Sequence, residues 1–102
     1  MNIDIHKQKV EELCIQNKVN ALYVFGSVLT DSFNDKSDID LIVDIDETDP
    51  MEYAENYFNL KFGLQDIFER PIDLLENKAL KNPYIRSNID STKELLYAKQ
   101  TV

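Results

Sequence analysis

Short apolar runs separated by polar segments predict a chain that alternates between buried strands and amphipathic helices. Val19–Phe25 and Ile39–Ile45 are two such runs, and residues 72–75 are a shorter third. Runs of about four to eight residues rich in branched and aromatic side chains are typical of strands. Residues 93–98 are predicted to form a fourth strand at an edge of the sheet, with an extension of the preceding helix as the alternative.

Helical periodicity places a first helix over residues 4–17. Asp4 is its predicted N-cap, and Val10, Leu13 and Cys14 form an apolar stripe at the spacing of one helix face. Because Cys14 lies on that stripe, we expect it to be a core residue and not a reactive thiol.

The strongest helix-start signal precedes a long helix over residues 51–68. Asp49 can cap this helix, Pro50 suits its first position, and Glu52 would complete a capping box. Gly63 falls inside the helix and weakens the prediction that it is continuous. The predicted apolar face comprises Ala54, Tyr57, Phe58, Leu60, Leu64, Ile67 and Phe68.

Two shorter helices complete the predicted elements. Residues 27–32 form one of them and lead into a polar loop. Asn82-Pro83 starts the other, in which Ile85 and Ile89 are expected to face inward.

The composition is that of one folded domain spanning residues 1–102. Apolar residues make up 43% of the chain and aromatic residues 10%, as in globular proteins, and this length allows a single core. No run of about 18 apolar residues predicts a membrane span, and no signal-peptide pattern opens the chain. The one cysteine cannot form an internal disulfide, which agrees with a reducing compartment, so we expect the protein in the cytoplasm.

Charge and histidine content exclude several classes of function. The formal net charge is −8, with acidic residues concentrated in the first half of the chain. Such a surface repels a phosphate backbone, so we expect no direct binding of DNA or RNA polymers. The only histidine, His6, is expected at the surface, so we expect neither a histidine-rich zinc site nor a Ser-His-Asp triad.

Candidate chemistry is concentrated between Gly26 and Asp40. Gly26-Ser27 ends the first apolar run at a predicted strand-to-helix turn, where free backbone N–H groups bind phosphate. Ser27 could also act only as the N-cap of that helix. The alternation of the second strand places Asp38 and Asp40 on one face, where two carboxylates can hold a divalent cation.

These residues carry a resemblance to a known family. Gly26-Ser27, the ten-residue gap after them and Asp38-x-Asp40 resemble the signature of the polymerase-β-like nucleotidyltransferases. The short chain is similar to their minimal nucleotidyltransferase (MNT) branch, the antitoxin partners of HEPN-domain toxins. That family has a third carboxylate on a later strand, and Asp73 is suitably placed to supply it. The resemblance covers nearly the whole chain and implies an α/β (α+β) fold, with a small mixed sheet of three to four strands backed by helices.

The direction of the strands follows from the site. Gly26 and Asp38 can meet only if the first two strands run antiparallel. The long crossover helix allows the second and third strands to run parallel, which places Asp73 beside Asp40. Helices would back one face of the sheet, and the carboxylates would lie on the open face.

The resemblance also implies what these residues do. Asp38, Asp40 and Asp73 are the expected catalytic carboxylates, and they would hold two Mg²⁺ ions, or Mn²⁺, that also bind the triphosphate of ATP. Without a cation three converging carboxylates repel one another. Asp73 would also help to accept the proton of the acceptor. Asp44 and Asp46, farther along the same face, are interpreted as solvated charges.

The expected nucleotide-binding residues are Gly26, Ser27, Lys36 and Ser37. Family members often carry a basic residue shortly after Gly-Ser, whereas this chain reads Val28-Leu29-Thr30. Lys36, which directly precedes Ser37-Asp38, is the nearest cation in the sequence. Triphosphate binding is therefore expected to depend on backbone, metal and Lys36.

Three functions follow as expectations from the resemblance. The first is a Mg²⁺-dependent protein adenylyltransferase, an antitoxin that moves AMP from ATP onto a tyrosine of a HEPN ribonuclease toxin and associates with it as a hetero-oligomer, without a membrane partner. The second is a binding module that inhibits the HEPN protein by occlusion. The third is a small-molecule nucleotidyltransferase of the aminoglycoside-modifying kind, which usually needs an added helical domain to hold its acceptor.

Overall fold

The computed structural model describes residues 6–26 and 38–99. In chain order the elements are α1 (Lys7–Gln16), β1 (Val19–Phe25), β2 (Ile39–Ile45), α2 (Pro50–Phe68), β3 (Ile72–Glu76), a 3-10 turn (Asn77–Ala79), α3 (Pro83–Thr92) and β4 (Glu94–Ala98). The helix and loop predicted over 27–37, and Asp4 as an N-cap, fall outside the described residues. The first described helix begins at Lys7, with His6 at its N-cap position.

The strands form one sheet in the order β3-β2-β1-β4. β1 and β2 run antiparallel, and β2 and β3 run parallel, which confirms both predicted directions. The tail forms a strand that pairs antiparallel with β1, so the edge-strand prediction is correct as well.

The main core lies between one face of the sheet and the two helices α1 and α2. Strand residues with alternating numbers, among them Leu22, Val24, Leu41 and Val43, are at most 1% exposed on this face. Their helical counterparts are Val10 and Cys14 of α1 and Leu60, Leu64 and Phe68 of α2.

The opposite face of the sheet is not left entirely open, contrary to the prediction. Ile42 lies on that face and is 1% exposed, and Ile89 of α3 is 5% exposed. Neither residue belongs to the cluster between the sheet and α1 and α2. Part of this second face is therefore covered, and the covered part lies farther along β2 than Asp40.

Three apolar residues predicted to face inward are exposed. Ala54 and Phe58 of α2 are both exposed, Phe58 to 49%. Phe58 precedes the buried Leu60 by two residues, which turns it to the opposite side of the helix. Ile85 is 50% exposed because the first turn of α3 stands clear of the core, where residues 81–85 are all exposed.

The predicted cap of α2 is present, but the second half of the capping box is supplied by a different residue. Asp49 Oδ1 accepts hydrogen bonds from the backbone N–H groups of Met51 (2.9 Å) and Glu52 (3.1 Å). The Asp49 N–H itself donates to Glu47 Oε1 at 3.0 Å, so Glu47, and not Glu52, closes the box from outside the helix.

Gly63 does not interrupt α2, which is continuous. A Cβ atom at this position would lie 2.7 Å from Leu13 Cδ2 and 2.8 Å from Leu13 Cδ1. The glycine therefore allows α1 to pack closely against α2, a role that the local pattern did not indicate.

No helix within the described residues is long and apolar enough to cross a membrane.

His6 is partly buried and Cys14 is fully buried, and both lie outside the sheet. His6 is partly buried, and its ring packs edge-on against Phe68 with centroids 5.3 Å apart, so the prediction of a surface histidine is wrong. Cys14 is fully buried, as predicted, and burial, followed by the nearby Glu11 charge, raises the pKa of its thiol to about 12.

Glu47 connects the start of β1 to the start of α2. Its carboxylate accepts a hydrogen bond from Lys18 Nζ at 2.6 Å and from the backbone N–H groups of Thr48 and Asp49, each at 3.0 Å. The hydrogen bond from Lys18, followed by the backbone bond, lowers the pKa of Glu47 from its ordinary 4.5 to about 2.

This depressed pKa predicts a pH-dependent contribution to stability. A carboxylate with a lower pKa in the folded state stabilises the fold above its unfolded pKa and loses that effect as the pH falls toward the folded value. Wild-type protein should therefore exceed Glu47→Gln in the free energy of unfolding at pH 7, and the difference should narrow below about pH 4.5. Urea titrations at pH 7, 5 and 3.5 measure it, and a difference that is constant over this range would contradict the assignment.

Candidate functional site

The candidate site lies where β1 ends and where β2 and β3 begin. Asp40 of β2 is paired with Phe25 of β1 on one side and with Asp73 of β3 on the other. Residues paired in this way point to the same face of the sheet. The structure thus brings Asp40 and Asp73 onto neighbouring strands at the same level, as the sequence predicted.

Asp38 lies two residues before Asp40, just outside the strand. It is exposed, as is Asp73, whereas Asp40 is partly buried. The starts of β2 and β3 are tied together by the Ile39 N–H, which donates to the Pro71 carbonyl oxygen at 3.1 Å. This bond fixes the level of the two aspartate-bearing strands relative to each other.

Gly26 lies against the carboxylate of Asp40. Its φ is +78°, in the left-handed region that is unfavourable for residues with a Cβ atom. A Cβ atom here would collide with Asp40 Oδ2 and lie 3.2 Å from Asp40 Cγ. Only glycine therefore allows the end of β1 to lie beside the Asp40 side chain without displacing it.

Two tyrosines of α2 hold β3 in place. The Tyr57 hydroxyl donates to the carbonyl oxygen of Leu74 at 2.6 Å, and the Tyr53 hydroxyl donates to Glu76 Oε2 at 2.8 Å. Burial raises the pKa of both hydroxyls, and the Glu76 carboxylate raises it further, so both stay protonated donors. The bond to Leu74 is made directly after Asp73, so α2 helps to position that carboxylate.

Sequence reasoning missed these contacts because it assigned Tyr57 to the apolar face of α2. The periodicity identified the correct side of the helix but carried no information on where the hydroxyl would end. The only signal was a tyrosine at a position where phenylalanine would satisfy the apolar pattern.

The carboxylates suit a hard divalent cation in their chemistry and backbone placement. Carboxylate oxygens are preferred by Mg²⁺ and Ca²⁺, and Asp40 and Asp73 are register partners with Asp38 two residues away. Within residues 6–26 and 38–99, no three histidine, cysteine or acidic side chains are grouped closely enough to hold an ion as they stand. The strand register and the type of ligand, three carboxylates, are therefore what fits a divalent cation here.

The other residues predicted near the site lie farther along β2, directly after it or outside the described part of the chain. Ser27, Lys36 and Ser37 fall outside the described residues, as does Val28-Leu29-Thr30. Of the two aspartates interpreted as solvated charges, Asp46 is exposed, with its Oδ2 3.6 Å from Lys99 Nζ, whereas Asp44 is partly buried.

Comparison with known proteins identifies relatives over nearly the whole chain. The family model "Polymerase beta, Nucleotidyltransferase" matches residues 8–102. A Methanocaldococcus jannaschii protein named as a protein adenylyltransferase is 35% identical over 92 residues, which cover 90% of this chain and 86% of that protein.

Several solved structures share the fold, and two of them illustrate the similarity. One, described as a minimal nucleotidyltransferase, has a TM-score of 0.74 at 23% identity, and the match covers 90% of each chain. The other, described as a tri-AMPylated Shewanella oneidensis HEPN toxin in complex with an MNT antitoxin, has a TM-score of 0.62 at 19% identity, covering 94% of this chain and 72% of that one.

The geometry of Gly26 predicts the effect of adding a methyl group there. Gly26→Ala should lower the free energy of unfolding by about 1–2 kcal/mol from the left-handed backbone alone, with a further loss because the methyl group displaces Asp40. Urea titrations measure the total.

A double-mutant cycle separates the two causes. In an Asp40→Gly background the collision is removed, so the same Gly26→Ala change should cost only the backbone part. Equal losses in both backgrounds would show that Gly26 and Asp40 do not contact each other as described.

Proposed function

Because this chain belongs to the polymerase beta nucleotidyltransferase family, we propose that it is a Mg²⁺-dependent protein adenylyltransferase that moves AMP from ATP onto a tyrosine of a HEPN ribonuclease toxin. The observation that carries the proposal is the pairing of Asp40 with Asp73 beside Gly26 at one end of the sheet. The relatives add to it, since one is named as a protein adenylyltransferase and a fold neighbour is an antitoxin bound to an AMPylated HEPN toxin.

Each residue of the site has a role in this reaction. Asp38, Asp40 and Asp73 would hold the metal, and Gly26 allows the backbone at the end of β1 to approach Asp40 closely. Two divalent ions bound there would offset the charge of the triphosphate and of the transition state. The tyrosine oxygen of the acceptor bonds to the α-phosphorus as the bond from that phosphorus to pyrophosphate breaks, and the Asp73 carboxylate would accept the phenolic proton.

The acidity of the chain favours a protein acceptor over a nucleic acid. With a formal net charge of −8, the surface attracts a basic partner and repels a polymer of phosphates. The partner chemistry is therefore that of a basic protein, which agrees with a ribonuclease that itself binds RNA.

A binding module that silences the same partner by occlusion is the second candidate. Two observations favour it: no group of three ligand side chains is formed within residues 6–26 and 38–99, and Val28-Leu29-Thr30 lacks a basic residue. Under this function the aspartates would not be needed to silence the toxin.

Metal binding should stabilise the protein. A ligand at one hundred times its dissociation constant adds about 2.7 kcal/mol to the free energy of unfolding, so thermal melts with Mg²⁺ or Mn²⁺ should shift upward. Asp40→Asn should lose most of the shift because it removes the central carboxylate. Asp44→Asn, four residues farther along the same strand, is the matched control and should keep it. A full shift in Asp40→Asn would disprove the assigned ligands.

Transfer of AMP should be visible in the intact mass of the partner. The purified pair incubated with ATP and Mg²⁺ should gain one adenylyl group per modification. Asp38→Ala or Asp40→Ala should abolish the gain and leave the complex intact, because metal-bound charge is the main source of transition-state stabilisation. Silencing of the partner by the wild-type chain with no added mass would favour occlusion instead.

A further inference from the structure

Lys93 lies at the end of the sheet that carries the aspartates, although it is far from them in sequence. It ends α3, with its N–H donating to the Ile89 carbonyl at 2.8 Å, and it directly precedes β4. β4 pairs with β1 through Glu94 opposite Val24 and Leu95 opposite Tyr23. Continuing this register places Lys93 level with Phe25, the residue paired with Asp40.

The side chain of Lys93 points to the same face of the sheet as Asp40. Its Nζ lies 4.3 Å from the centre of the Tyr23 ring. Tyr23 is the register partner of Ile42, which is two residues after Asp40 and shares its face. Tyr23 and Asp40 are diagonal neighbours across this antiparallel pair, so the ammonium lies over the ring of a residue adjacent to Asp40 on the same face.

The ammonium of Lys93 contacts the Tyr23 ring and Asp90, and the lysine side chain stays partly exposed. Nζ donates to Asp90 Oδ1 at 2.9 Å, and the lysine side chain is 24% and the aspartate side chain 44% exposed. A partly exposed ion pair of this kind contributes little to stability. An anion more highly charged than one carboxylate can therefore replace Asp90 as the partner of the ammonium.

We propose that Lys93 binds the β- or γ-phosphate of the nucleotide and so supplies the cation that Val28-Leu29-Thr30 does not. This inference rests on the proposed function, because it requires a nucleoside triphosphate at the aspartate end of the sheet. The ammonium also offsets charge that builds up on pyrophosphate as it leaves. Binding of the adenosine and of the α-phosphate does not depend on Lys93.

The test compares the affinities of triphosphate and monophosphate in calorimetry with Mg²⁺ present. Lys93→Gln should weaken binding of AMP-PNP, an ATP analogue with an imido bridge between its β- and γ-phosphates, by about ten- to a hundredfold, the loss expected for a hydrogen bond to a charged group. Its affinity for AMP should change by less than about threefold, because AMP lacks both outer phosphates. Lys93→Arg should bind AMP-PNP nearly as the wild type does.

Lys99→Gln is the matched control. Lys99 follows the far end of β4, also lies beside an aspartate, with Nζ 3.6 Å from Asp46, and its loss changes the net charge of the chain equally. Affinity for AMP-PNP should be unchanged in this variant. Thermal melts of all variants show that each is folded.

The outcomes distinguish the inference from the proposed function. Wild-type affinity for AMP-PNP in folded Lys93→Gln, an equal loss in Lys99→Gln, or an equal loss for AMP would each overturn the role of Lys93 alone. A wild-type protein that binds no nucleotide would overturn the proposed function and the inference with it.

Discussion

The register of β2 between its two neighbours is the constraint on which the site depends. β2 is antiparallel to β1 and parallel to β3, so two independent ladders of hydrogen bonds fix the position of Asp40 along the strands. A slip of one residue would turn Asp40 into the apolar core and an isoleucine or leucine outward. The buried Ile39, Leu41 and Val43 on the other face oppose such a slip, because their burial is lost in any other register. The hydrophobic core and the site are therefore specified by the same alternation.

β3 is the weaker of the two supports. Within the part of the chain that the structure describes, β3 is an edge strand that pairs with β2 alone, and it carries Asp73. Tyr57 and Tyr53 add two hydrogen bonds from α2, and the Ile39 N–H bond to Pro71 fixes the start of the strand. Hydrogen bonds from α2 thus help to fix the position of β3, whereas the central strand β2 is fixed by hydrogen-bond ladders on both sides.

Local signals in the sequence predicted the features that depend on local physics. Strand alternation and the Asp49 and Asn82 caps predicted the order of the described elements, and the crossover helix allowed the parallel pair, because each acts over a few residues or through chain length. The antiparallel direction of β1 and β2 was predicted from the need for Gly26 and Asp38 to meet at one site. Contacts between distant segments could not be predicted in this way. Glu47 in place of Glu52 at the cap, Gly63 against Leu13, and Lys93 over Tyr23 all depend on which elements pack together. Within the site, the Asp40–Asp73 pairing was predictable, whereas the tyrosine hydroxyls that support it were not.

The buried Cys14 thiol can be used to follow the opening of α1 from the core. It is the single cysteine of the chain, and its side chain is fully enclosed between α1 and the rest of the core. With its pKa raised to about 12, the thiol is almost entirely protonated at neutral pH, and the thiolate is the species that alkylating reagents attack. Alkylation of the Cys14 sulfur therefore requires α1 to leave the core. The alkylation rate then reports how often α1 opens, without any added probe.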